Sequence, residues 1–173
     1  MKKVLFSIAA VAVMLFSQTT MAQAKANDIV DVAVSVDDFS TLVAALKAAD
    51  LVGALKGDGP FTVFAPVNAG FAKIDATALN SLLEPANKEK LAAILTYHVI
   101  AGKIAAADVV KALEAGNGKA ELTTLNGATL TAVSKDGGIF LMDAKGNYSK
   151  IAQTDVMASN GVIHIIEDVV MPN

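Results

Sequence analysis

Residues 158–172 read ASNGVIHIIEDVVMP, an Asn-Gly pair followed by a β-branched run. Asn160 and Gly161 have the chemistry of a type I′ hairpin turn, which needs positive φ at both central positions. Residues 162–166 are therefore predicted as a returning strand. Side chains alternate along a strand, so Val162, His164 and Ile166 share one face while Ile163 and Ile165 share the other. Apolar residues on both faces mark a strand covered on both sides. A lone imidazole there needs hydrogen-bond partners to offset its desolvation. Asp155 and Ser159 lie near His164 in the chain, but a catalytic triad is defined by geometry and an oxyanion hole, and no Gly-x-Ser-x-Gly elbow is present. Ser159 and Asn160 are the small polar residues that a hairpin uses in any case. His164 is read as scaffold.

Working back from that hairpin, Asn126-Gly127 and Asp136-Gly137 also separate strand-forming runs, so the chain beyond Gly116 is predicted to be hairpin-rich. The first half reads differently. Over residues 37–60, Leu42, Ala45, Leu46 and Ala49 fall at helical spacing, with Asp37 or Asp38 as N-cap and the Gly/Pro cluster at 57–60 as the stop. Residues 61–65, FTVFA, form a short buried strand ended by Pro66, and Asn68 is placed as the cap of a short helix around Phe71. Leu91, Ile94, Leu95 and His98 mark the next helical face, and a further short helix is predicted over 107–113. Helices first and hairpins second argue an α+β fold.

The N-terminus is of another kind. Lys2 and Lys3 precede an apolar run over 4–16, then Ala22-Gln23-Ala24, the layout of a secretory signal peptide. The run is about 13 residues, or roughly 20 Å of helix, short of a bilayer core of about 30 Å. Residues 1–24 are assigned as the signal peptide, with cleavage between Ala24 and Lys25, 25–36 as a lead-in and 37–173 as the domain. Export without stable membrane insertion, to a periplasm or beyond the cell, is expected. Cleavage removes two of 14 basic residues, leaving 12 against 17 acidic ones and moving the net charge from −3 to −5. An acidic chain without Trp or a basic cluster is a poor ligand for phosphate backbones, so nucleic acid is excluded as a main partner. The absence of Cys removes thiolate chemistry and cysteine metal sites.

Three stretches, FTVFAPVNAGFAKI (61–74), LTYHVIAGKI (95–104) and DVMASNGVIHIIEDVVMP (155–172), resemble in order and spacing the signature segments of fasciclin-like domains, the modules of transforming-growth-factor-induced matrix proteins and periostin. The resemblance implies a β-wedge of two small sheets with several helices around it, the first and last stretches supplying neighbouring strands. It implies adhesion to a cell-surface or matrix protein, or to a glycan, with no enzymatic activity and no cofactor. It also implies a binding role for Tyr97, His98 and Asp155, with Val156 where the family has Ile. Val67 and Gly70 depart from the family pattern, Gly70 at a helical position where it costs about 1 kcal/mol relative to Ala.

Bland readings stand beside the sharp ones. His98 continues an apolar helical face, which suits a buried, satisfied imidazole. A joint metal site with His164 lacks any His pair at i, i+4 or a His-Glu-x-x-His segment. Tyr97 lies about 100° around the helix from His98 and is expected to be the more exposed of the two. Asp155 equally suits a turn, and Asp136, Asp143, Glu167 and Asp168 read as solvated surface. Two other functions are weighed: a small-ligand or glycan-binding module, and a hydrolase using Ser159 or a histidine.

Overall fold

The computed structural model describes residues 27–172; the signal-peptide assignment and its cleavage site at Ala24 and Lys25 lie outside the described residues. The elements in chain order are α1 (Ile29–Val34), α2 (Ser40–Ala48), α3 (Val52–Leu55), β1 (Phe61–Pro66), α4 (Asn68–Ala72), α5 (Ala76–Leu83), α6 (Lys88–Tyr97), β2 (Val99–Ala101), α7 (Ala106–Ala115), β3 (Lys119–Thr123), β4 (Thr129–Lys135), β5 (Gly138–Met142), β6 (Tyr148–Ala158) and β7 (Gly161–Ile166). The fold is α+β, helices first and hairpins second.

The strands run in the order β2-β1-β7-β6-β5-β4-β3. β1 and β7 are parallel neighbours, Phe64 opposite His164, and all other pairs are antiparallel. β6 belongs to two sheets: residues up to Lys150 pair with β5 and those from Ile151 pair with β7. Register shifts between Ile151 and Val156, with Asp155 at φ 59°, bend the strand there. That bend produces the wedge. The backbone N–H of Leu125, in the β3–β4 turn, donates to Val99 O at 2.8 Å and draws the far edge towards β2.

Two apolar cores follow from strand alternation. Val63, Ala65 and Ile163 pack with residues of α1, α2, α3, α4 and α6. Phe64 and Ile166 point the other way, joining Val109 and Leu113 of α7 and the inner residues Ala120, Leu122, Leu130, Ala132 and Leu141 of β3–β5. β1 and β7 are thus covered on both faces, as the apolar run at 162–166 predicts.

Several local expectations need correction. The helix read over residues 37–60 is broken where Asp50 turns to φ 59°, and the residues before Ser40 form a 3-10 turn. The described part of the lead-in, from residue 27, carries a helix: Asp28 caps α1 in a reciprocal box with Asp31, and Ile29, Val30 and Ala33 are buried. Asn160-Gly161 is not a type I′ turn, because neither residue has positive φ. The loop is Ser159-Asn160, and Gly161 already pairs with Ala158. Glycine stands there because a Cβ would lie 2.0 Å from Phe61 O, so any side chain would force β1 from β7. Asp136-Gly137, at φ 51° and 75°, is the pair that adopts the type I′ signs. Gly70 has the same explanation as Gly161: its Cβ would meet Glu167 O at 2.6 Å.

Candidate interaction surface

Tyr97 and His98 close α6 and are both buried, which corrects the expectation of an exposed Tyr97. Thr129 O accepts from the Tyr97 hydroxyl at 3.0 Å, and burial holds the phenol above its ordinary pKa. His98 Nδ1 donates to Ile94 O at 2.8 Å, and Nε2 accepts from Val170 N–H at 3.2 Å. Both ring nitrogens are occupied only in the neutral tautomer. Burial pushes the imidazole down to about 4.

His164 is satisfied in the same way. Its Nε2 donates to Ile104 O at 2.8 Å, its Nδ1 accepts from Asp155 N–H at 3.3 Å, and its ring stacks on Phe64. Thr62 grips the same segment, donating to Gly102 O at 2.7 Å and accepting from Ile104 N–H at 2.8 Å. The Asp155 carboxylate accepts from Ala106 N–H at 2.9 Å, at the start of α7. Together these groups fasten the connection from β2 to α7 onto β1 and β7. Val156 pairs with Ile163 and packs on the helical core.

The two asparagines also reach far across the chain. Asn160 Oδ1 accepts from Ile29 N–H at 3.0 Å, while Nδ2 donates to Leu55 O and Gly57 O at 2.7 and 2.9 Å. Asn68 does not cap its own helix, which has Val67 at that position. Its Oδ1 accepts from Thr41 N–H, serving the start of α2, and its Nδ2 donates to Asp37 O and Ser40 Oγ. Asp143 is buried rather than solvated. Burial raises its pKa, but the Asn147 amide and the backbone N–H groups of Asn147, Met171 and Lys145 outweigh that and hold it below the usual carboxylate value.

This geometry does not assemble a hydrolytic site. The Asp155 carboxylate serves α7 instead of His164, and both nitrogens of each imidazole are engaged by backbone. Among the described residues no group of three or more His, Cys, Asp or Glu side chains is placed to hold a metal ion.

The open surface lies elsewhere, on the face of β3–β6 turned away from α7. Direct pairing places Lys119, Val133, Phe140 and Lys150 in one row and Glu121, Thr131, Met142 and Tyr148 in the next, with Lys135 and Gly138 beyond. The alternate residues, Ala120, Leu122, Leu130, Ala132 and Leu141, fill the inner core. Four apolar side chains thus form a contiguous block on the solvent side, between lysines about 14 Å apart at a strand spacing of roughly 4.8 Å. Tyr148 is 46% exposed, with Lys135 Nζ 4.9 Å from its ring centroid. No described carboxylate lies within ion-pair distance of these three lysines. Periodicity alone contains this face, since the residues at 129, 131, 133 and 135 alternate with buried ones, but none of them stands out as chemistry.

Comparison with known proteins agrees with the architecture. Protein sll1483 of Synechocystis sp. is 51% identical over 144 residues, covering 83% of this chain and 73% of that protein. The pig transforming growth factor-beta-induced protein ig-h3 is 36% identical over 137 residues, which are 79% of this chain but 18% of that longer protein. Among solved structures, the FAS1 domain pair of the insect cell adhesion molecule fasciclin I superposes with a TM-score of 0.73 at 19% identity, over 83% of this chain and 50% of that one. The sequence profile described as Fasciclin domain matches residues 37–172, and the chain belongs to that family.

Proposed function

We propose that this protein is an exported, non-enzymatic binding module that attaches to an acidic cell-surface or matrix protein through the outer face of β3–β6. The observation that carries this reading is the apolar block of Val133, Phe140, Met142 and Tyr148 set among three lysines that pair with no carboxylate among the described residues, on a chain of net negative charge. Apolar and aromatic area supplies the affinity at such a patch, and the surrounding charge supplies orientation and on-rate. The adhesion molecule that shares the fold supports the class of function, and the Lys2-Lys3, apolar run and Ala-Gln-Ala order support export. Among the described residues no helix is long and apolar enough to cross a membrane. A single domain offers one modest patch, so firm attachment needs several copies side by side.

The test is attachment of purified protein to cells or matrix at low and high salt. Replacing Lys119 and Lys150 with Glu should weaken attachment at least tenfold at low salt and flatten the salt dependence, with the melting temperature held. Unchanged attachment in that folded variant would remove the face from consideration.

A further inference from the structure

Where α2, α3 and α6 meet the start of β1 and the β3–β4 turn lies a cavity of about 260 Å³. Its floor reaches the helical core at Leu46, Leu55, Leu95 and Val99, and its rim carries Ala54 and Leu125. Thr96 brings a hydroxyl to the wall, but that group already donates to Ala92 O at 2.6 Å within its helix. Val99 O is likewise taken by Leu125 N–H. A sugar or a charged molecule entering here would lose hydration without finding a directed partner. Water fares no better, since an ordered molecule needs two to four polar contacts, and apolar cavities of this kind stay dry and accept apolar guests.

Size narrows the occupant. An engineered cavity of about 150 Å³ takes benzene, so this one has room for an aromatic ring with a short alkyl tail, or for a short acyl chain. It is too small for a helix or a strand. The walls are also set in advance: Asn160 holds Leu55 O and Gly57 O, and Leu51 N–H donates to Leu46 O at 3.0 Å. At the rim Leu125 remains 44% exposed, a large apolar side chain in water that a bound molecule would cover. We infer that this cavity is a binding site for a small hydrophobic molecule, its hydrocarbon seated between Leu46, Leu95 and Val99 and its polar end in solvent beside Ala54 and Leu125. The cavity shares no lining residue with the lysine-flanked face and does not rest on the adhesion reading.

The experiment is titration of the purified protein with n-butylbenzene, followed by thermal melting and by methyl NMR. At ten times Kd the melting temperature should rise by about 3–6 °C, with shift changes concentrated on Leu46, Leu55, Leu95, Val99 and Leu125. Ala54→Phe, at an exposed position, fills the mouth and should abolish the rise, while Tyr148→Ala should leave it intact. Absence of any rise or methyl perturbation in the native protein would overturn the assignment. So would perturbations centred elsewhere, or a full rise in folded Ala54→Phe. If Ala54→Phe does not fold, the methyl map of the native protein decides by itself.

Discussion

The chain has two tyrosines, and they sit in opposite kinds of place. Tyr97 is fully buried, its hydroxyl bonded to Thr129 O, within a region where His98, His164, Asp155, Asn160 and Thr62 each commit side-chain polar atoms to backbone groups, at least one of them distant in the chain. Tyr148 stands half in solvent on a sheet face built from ordinary Thr, Val, Phe, Met and Lys. The contrast teaches that chemically conspicuous side chains can be spent on the chain's own backbone while an ordinary-looking face stands open to solvent. Buried backbone groups at helix starts and chain crossings require satisfaction, and in this molecule His, Asn and Asp supply it. A surface that adheres needs only exposed apolar area with charge around it.

If the interior region is framework, each substitution there should cost stability according to the hydrogen bonds and packing it removes, leaving the outer face unaffected. Gly161→Ala has the largest expected effect, about 4 kcal/mol or outright failure to fold, because its Cβ meets Phe61 O. Urea denaturation measures it, and a near-native midpoint would mean that β1 and β7 are not held as closely as described. Asn160→Ala leaves Ile29 N–H, Leu55 O and Gly57 O without partners. A loss of about 3 kcal/mol is expected, with hydrogen exchange at Ile29 accelerated.

His98 makes the next effect a matter of pH. Its imidazole protonates near 6.5 when unfolded and near 4 when folded, since burial disfavours the charged form. Between those values the unfolded chain binds more protons, so stability is complete above about pH 6.5 and falls as pH drops towards 4. The loss is about 3 kcal/mol, after which this contribution levels off. Gln at this position can still donate to Ile94 O and accept from Val170 N–H but does not titrate. Denaturation of His98→Gln should therefore lack this part of the acid slope; an identical slope in both proteins would show that His98 is not the buried neutral group described here. Tyr97→Phe is the mildest interior change, costing about 1 kcal/mol for one hydrogen bond.

The outline of this contrast is legible in the sequence. Helical spacing at Leu42, Ala45, Leu46 and Ala49 and alternation along 162–166 identify buried faces correctly, because burial repeats with the period of the element that carries it. The signature segments at 61–74 and 155–172 place β1 beside β7. Partners across the chain leave no local trace: Asn160 looks like any turn asparagine, yet its three partners lie 103 to 131 residues away. The burial of Tyr97 is hidden for a related reason. A single apolar face leaves the next residue in solvent, but the end of α6 enters the space between the sheets and is covered on both sides, by Thr129 and by Val170. The outer face is invisible in the chain because Val133, Phe140, Met142 and Tyr148 carry no motif, and their adjacency exists only once three strands are in register.

Attachment to cells or matrix, with melting temperature recorded alongside, should be compared in Tyr97→Phe and Tyr148→Ala. Tyr148→Ala is predicted to lose about tenfold or more in attachment, as an aromatic anchor does, while its stability stays within about 0.5 kcal/mol of the native protein. Tyr97→Phe should melt earlier and attach as well as the native protein while folded. Attachment lost in folded Tyr97→Phe and retained in Tyr148→Ala would contradict the assignment of the outer face, returning recognition to the interior segment.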